Sequence, residues 1–242
     1  MFADDLCSYY ASSSLQFIKT KLNIYLKELE EWLTLWRLNM CSSKCSYVIF
    51  HTGNRKVNNI DLKLFGKSIP RVYSTTFLGV TFDSKLTFKE HIYKIRAKCI
   101  QRFNILKILK NKSWHLNEKT LVQIYYSLIR SIIEYASPIY SQINNTYFKK
   151  IKAIQNNSIR IIFKKAYDTS TSELLSLSGI TGLKDRLEQL SGGYIRRAIL
   201  SKNPFITLLC EEFMNKNIVK IKKPTLLCSH STSIKTCLDM IN

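Results

Sequence analysis

The sequence predicts an α+β chain, predominantly helical, and three observations carry that expectation. Gly and Pro are scarce, 7 and 4 in 242 residues, which favours long helices over many turns. Apolar residues recur at three- and four-residue steps over several long segments, the pattern of one buried helix face. Between them, from about residue 47 to 83, lie short β-prone runs punctuated by Gly, the pattern of hairpins.

The elements follow in order. Tyr9, Tyr10 and Ala11 read as a short extended run, and Ser12–Ser14 can cap what comes next. Leu15, Ile18, Leu22, Tyr25, Leu29, Trp32/Leu33 and Trp36 then mark a helix of about six turns. Tyr47–Phe50, the alternation Ile60, Leu62, Leu64 with a turn near Gly66-Lys67, and "VYSTTFLGVTFD" together predict a small antiparallel sheet of hairpins. Phe88, Ile92, Ile95, Cys99, Phe103, Leu106 and Leu109 give a second helical face. A third has Asn117 as its cap and Leu121, Ile124, Tyr125, Leu128 and Ile132 as its core, ending before Pro138. A fourth runs from about Thr146 to Phe163 and buries Phe148, Ile151, Ile154 and Ile161/Ile162. Two amphipathic pieces are expected about a Gly179–Gly182 turn, the second broken at Gly192-Gly193, and "VKIKKPTLLCSHSTS" reads as a tail or loop.

Charge narrows the partner. The chain carries 37 Lys and Arg against 17 acids and is 45% hydrophobic, so it can bury a core while presenting a strongly basic surface. Residues 85–165 alone hold 17 Lys and Arg against three acids. Nucleic acid is the first partner this implies, ahead of an anionic membrane, because the basic helices also bury wide apolar faces. No apolar stretch is long enough to span a bilayer, and no signal peptide or other targeting signal is visible. The seven cysteines lack zinc-ligand spacing: Cys41 and Cys45 are four apart, and Cys228, His230 and Cys237 form no second compact pair. They read as reduced intracellular thiols.

Four motifs in order carry a resemblance. "FADD" is followed by the long amphipathic helix, then "WRLNMCSSKCSYVIF", then "FLGVTFDSKLTFKEHI". The chain resembles the reverse transcriptases of non-LTR retrotransposons, notably jockey-like elements, from residue 2 to about 190. "YYSLIRSIIEYASPIY" and "IKAIQNNSIRIIF" are similar to the helical region after the polymerase core. The resemblance implies a partial polymerase palm over 1–84, a basic helical thumb over 85–165, and a C-terminal helical region and tail over 166–242. It also implies a nuclear setting, an RNA template, and an RNA–DNA or DNA primer duplex.

An Asp-Asp pair taken alone is a solvated chain end. By the resemblance, Asp4 is the principal ligand of catalytic Mg²⁺ and Asp5 the auxiliary one, since hard carboxylates suit that ion and nucleotidyl transfer uses two metals. Lys44 matches a lysine placed to protonate departing pyrophosphate; its plain reading is a solvated lysine before a strand. Cys41 departs from the Asn often found three residues before that lysine. Phe77, Leu78, Gly79 and Val80 match the primer grip, with Gly79 open to close backbone approach; otherwise it is a turn or bulge. Lys89, Lys94, Arg96, Lys98, Arg102, Lys107 and Lys110 are expected to contact phosphates, and the tyrosines among them to be core. In the family a third carboxylate and the nucleotide-holding fingers precede "FADD", so these 242 residues are expected to be an incomplete copy, inactive alone. Two other readings stay open: a relict or domesticated nucleic-acid-binding module without chemistry, and a structural protein whose basic helices assemble.

Overall fold

The computed structural model describes residues 5–38, 40–51, 57–111, 115–215 and 230–239. It is mostly helical with short antiparallel strands, as expected of an α+β chain. The chain divides into two compact units, 1–91 and 92–242.

In the first unit, helix α1 spans Leu15–Leu35, and the Ser14 hydroxyl caps it by accepting from the Phe17 amide. Such a cap satisfies one of the orphan N–H groups of the first turn. Leu15, Ile18, Leu22 and Leu26 pack on a buried cluster of Ile60, Leu62, Leu64 and Ile69. Asn23 fixes the contact, donating to the Asp61 carbonyl at 3.1 Å and accepting from the Lys63 amide at 3.3 Å. The buried stripe turns to Leu26 and Leu33 rather than to the tryptophans. Trp32 stays 46% exposed and Trp36, just past the helix end, 63%, because Trp32 lies one residue, about 100°, round the helix from Leu33.

Strands β1 (Lys63–Leu64) and β2 (Lys67–Ser68) form one hairpin, and β3 (Ser74–Phe77) and β4 (Val80–Asp83) another. They are two separate two-stranded sheets, where the sequence predicted one. Tyr47–Phe50 is not a strand: only Tyr47 bridges, in parallel, to Arg71. Its amide donates to the Pro70 carbonyl at 3.1 Å, and its carbonyl accepts from Val72 at 2.9 Å. Pro70 has no N–H to continue a ladder. The Tyr47 hydroxyl is instead committed to the Ile60 backbone, donating to its carbonyl at 2.7 Å and accepting from its amide at 3.1 Å. Tyr9–Ala11 likewise joins no sheet.

The second unit contains most of α2 (Lys89–Asn111), then α3 (Glu118–Tyr125), α4 (Ser131–Glu134), α5 (Ser137–Tyr140), α6 (Asn145–Ile162), α7 (Thr171–Ser178), α8 (Leu183–Leu200), α9 (Pro204–Asn215) and α10 (Ser231–Asp239). Asn117 caps α3, its side-chain oxygen accepting from Thr120 at 2.8 Å. Between α3 and α4, residues Tyr126–Arg130 form a π-turn. The longer turn admits one extra residue, so the buried positions after Tyr125 are Ile129 and Ile133, not Leu128 and Ile132. In α6 the core takes Ile151, Ile154, Ile159 and Ile162. Phe148 and Ile161 are only half-buried.

Gly179 ends α7 in the left-handed region (φ 63°), the usual glycine helix stop. Gly192-Gly193 does not break α8. A Cβ at Gly192 would lie 3.1 Å from the His230 ring, so the missing side chain leaves room for that ring ahead of α10. There Ile195 and Ile199 share a core with Cys210, Ile234, Cys237 and Leu238. Of the expected tail, 219–229 lies outside the described residues, and Ser231 onward is helix rather than loop.

The π-turn also buries a cation. Arg130 is 2% exposed. Its guanidinium donates to Glu134 at 2.8 Å, to the Gln155 side chain at 3.1 Å and to the Thr181 carbonyl at 3.0 Å. Arg186 adds two bonds to the same carboxylate, at 3.0 and 3.1 Å, so α4, α6 and α8 meet on one network. Burial pushes the Glu134 carboxyl up, but the hydrogen bonds from Arg186 and Arg130 outweigh it and hold the group below the ordinary glutamate range. Its contribution is therefore full above that range and is lost as pH falls through the lowered value. Arg130→Ala is expected to cost on the order of 3 kcal/mol in urea denaturation, because it strands a buried network. The variant should also lose less stability on acidification.

Candidate nucleic-acid interface

The link between the β3–β4 hairpin and α2 sets the interface. Phe77 pairs with Val80 across a two-residue loop, in which Leu78 (φ 47°) and Gly79 (φ 76°) both have positive φ. That is the requirement of a type I′ turn. Gly79 meets it without strain, and Leu78 sits exposed at the tip. The four residues singled out in the sequence thus form one hairpin end, with Val80 buried beneath it.

Asp83 then organises the way into α2. Its carboxylate accepts from the Lys85 amide at 3.1 Å, the Thr87 amide at 3.0 Å, the Thr87 hydroxyl at 3.1 Å and the Phe88 amide at 2.7 Å. The His91 Nδ1 accepts from the Thr81 amide at 3.3 Å, pinning the first turn of the helix to β4. Asp83 is the acid that closes the "FLGVTFD" motif but was given no role of its own in the sequence, and His91 was not singled out. The Asp-x-x-x-Thr spacing before a helix was the signal available for the first.

Along α2, Ile92, Ile95, Cys99 and Leu106 are buried, and burial pushes the Cys99 thiol up to about 12. The cations fall on the other sides. Lys94, Lys98 and Arg102 stand four residues apart, one row with a step of about 6 Å along the axis. Lys89, Arg96 and Lys107 fall on a second flank by the same geometry. All six are exposed, and Lys110 is half-buried. Glu90 is the single acid of the helix. Lys107 stands over the Phe103 ring, 4.9 Å from its centre. A helix with one buried stripe and two cationic rows can hold phosphates without reading bases.

The acidic turn is less fully seen. Asp4 lies outside the described residues, and Asp5 is exposed. After it, Cys7, Ser8, Tyr9 and Tyr10 line an open cleft of about 360 Å³ against Lys21, Leu22 and Tyr25 of α1. Lys44 closes a 3₁₀ turn, Ser42–Lys44, and is exposed. Cys41 Sγ lies 2.9 Å from Ser43 Oγ, and Cys45 donates to the Cys41 carbonyl at 3.6 Å. Hydrogen bonding to Ser43 leads the causes that lower the Cys41 thiol from its ordinary value. Among the described residues no three acid, His or Cys side chains converge as a metal-holding group. The hairpin end belongs to the first unit and the α2 cations from Lys94 on to the second, so the two are neighbours in sequence; among the described residues no ion pair joins Lys44 to Asp5.

Comparison with known proteins places the chain. It is 27% identical over 206 residues to the RNA-directed DNA polymerase from mobile element jockey of Drosophila melanogaster, covering 84% of this chain and 22% of that protein. Against the polymerase of the same name from Drosophila funebris it is 24% identical over 199 residues, 81% of this chain and 21% of the relative. The probable RNA-directed DNA polymerase from transposon X-element of D. melanogaster is 27% identical over 164 residues, 66% of this chain and 18% of the relative. The resemblance to non-LTR retrotransposon reverse transcriptases is borne out by these relatives, of which the chain spans about a fifth of the length. No protein-family model and no solved structure matches it. Among the described residues no helix is long and apolar enough to cross a membrane.

Proposed function

We propose that this chain is a segment of a retrotransposon RNA-directed DNA polymerase, and that α2 is the surface along which it holds a template–primer duplex. The similarity to jockey polymerases over 84% of the chain carries the reading. The two cationic rows on α2, directly after the Leu78–Gly79 turn, support it. Residues 1–84 are then part of the palm, 85–165 the thumb, and 166–242 the helical region beyond. The working setting is nuclear.

In the polymerase, Asp4 and Asp5 would hold divalent metal, Mg²⁺ by their hard-carboxylate chemistry. Bound there, the metal supplies charge stabilisation to the attacking and leaving oxygens. Asp5 is exposed and its carboxylate suits such an ion, though among the described residues no group of three acid, His or Cys side chains gathers to hold one. Lys44 would place a cation near departing pyrophosphate and serve as a proton donor. Phe77–Val80 would grip the primer strand, with Gly79 letting its backbone come close.

Charge reversal tests the α2 surface. Lys94→Glu, Lys98→Glu and Arg102→Glu together should weaken binding to unrelated RNA–DNA and DNA duplexes about equally, since phosphate contacts carry no sequence. Fluorescence anisotropy on several duplexes reads this. Loss confined to one sequence would overturn the assignment. Binding without extension in any polymerase context would favour the relict-module reading.

A further inference from the structure

The outer side of α2 is not a third row of charge. At about 100° per residue, Ala97, Ile100, Gln101, Asn104 and Ile108 fall within about 100° of arc. That arc faces away from the stripe buried at Ile92, Ile95, Cys99 and Leu106. All five residues are exposed, Ile100 by 38% and Ile108 by 53%. They make a strip about 17 Å long on the helix. Among the described residues the side-chain amides of Gln101 and Asn104 have no hydrogen-bond partner. Charge borders the strip on both sides. Lys98 and Arg102 lie along one edge, Arg96 and Lys107 along the other, by the same spacing. Glu90, the single acid of the helix, stands before the strip begins.

An uncharged strip between two cationic edges fits a partner that is neutral along its middle and negative along both margins. A duplex groove has that form, with sugars and base edges between two lines of phosphate. The grooves differ in what they admit. The minor groove of B-form DNA, about 6 Å wide, is too narrow for a helix about 10–12 Å across. The B-form major groove admits a helix, but it shows polar base edges, where an isoleucine finds only a thymine methyl. The minor groove of an A-form duplex is wide and shallow and displays ribose with its 2′-hydroxyls. There Ile100 and Ile108 meet the C–H surface of the sugars. The two amides, each a donor and an acceptor, match hydroxyls that are also both.

We infer that the outer strip of α2 seats on the shallow minor groove of an A-form duplex, with Gln101 and Asn104 on 2′-hydroxyls and the flanking cations on the two phosphate lines. This rests on the proposed reading of α2 as the duplex-holding surface. It adds the groove, the duplex form and the two residues that distinguish RNA-containing duplexes from DNA.

The test uses the full chain and fluorescent duplexes of one sequence, each of about 16 base pairs, as RNA–RNA, RNA–DNA and DNA–DNA at one fixed salt. The parent should bind both RNA-containing duplexes more tightly than DNA–DNA. Gln101→Ala with Asn104→Ala should weaken binding to the RNA-containing duplexes at least about fivefold and leave DNA–DNA unchanged. A 2′-fluoro RNA duplex, which keeps the A form without the hydroxyl, should bind the parent no better than plain RNA binds the double variant. A parent without preference for RNA-containing duplexes, or a double variant that loses equally on all three, would overturn the groove assignment while leaving duplex binding on α2 intact. Self-association of the parent that Ile108→Ser abolishes, with duplex affinity unchanged, would assign the strip to a second copy of the chain and overturn it as well. Failure of Lys98→Glu with Arg102→Glu to weaken any duplex would overturn the duplex-holding surface itself.

Discussion

Raising salt from about 50 to 200 mM should weaken binding of nucleic acid to this chain by about 10³–10⁵-fold. The effect follows from counterion release. Each phosphate neutralised by Lys or Arg frees condensed cations, and six to ten such contacts give a slope steep enough for that loss. The α2 rows offer Lys89, Lys94, Arg96, Lys98, Arg102 and Lys107 at exposed positions, within a chain of 37 Lys and Arg against 17 acids. The apolar stripe of the same helix is already consumed: Ile92, Ile95, Cys99 and Leu106 are buried. A salt titration by anisotropy reads the slope directly. An affinity flat across this range, with self-association equally insensitive, would instead favour a structural protein whose helices assemble.

Where the sequence was legible, one local rule decided the outcome. Ser14 and Asn117 cap because their side chains can reach the first free amides. The α2 face was readable because Ile92, Ile95, Cys99 and Leu106 keep strict helical spacing. The failures have a different cause. Leu128 and Ile132 were expected inside, but the π-turn at Tyr126–Arg130 shifts burial by one residue, and nothing in a periodic pattern announces an inserted residue. Tyr47–Phe50 has strand-like composition, yet its would-be partner segment contains Pro70, and the pairing is tertiary. Gly192-Gly193 reads as a break until His230, far along the chain, occupies the space above Gly192. Tyr93 reads as core by residue type, yet it is 39% exposed and its hydroxyl accepts from Lys150, 57 residues on.

The candidate site divides the same way. The hairpin end at Phe77–Val80 was singled out by the resemblance, with Gly79 alone read as a turn or bulge; a leucine at φ 47° is not a residue that announces such a turn. The cation rows were visible because charge and helical spacing are both local. The roles of Asp83 and His91, which fix the segment from Lys85 to His91 against β4, were not, since an acid and a histidine next to a basic helix have many ordinary explanations. Nor does the acidic pair explain itself: two adjacent carboxylates give no geometry, and their meaning comes from the order of motifs around them.

The most direct test of the account is primer extension. The 242-residue chain supplies Asp4 and Asp5 as adjacent acids, while its relatives extend over four to five times its matched length. Two carboxylates are a partial ligand set for two-metal chemistry, and such sites must hold geometry to within about 0.5 Å. The chain alone is therefore expected to give no extension with Mg²⁺ and nucleotides. Joined behind the upstream polymerase region of a jockey relative, it should extend an RNA-templated primer. Asp4→Ala in that chimera should abolish extension while leaving duplex affinity, proposed to reside on α2, unchanged. Extension by the chain alone that survives Asp4→Ala, or a chimera indifferent to Asp4, would contradict the assignment of the acidic pair as metal ligands of a polymerase.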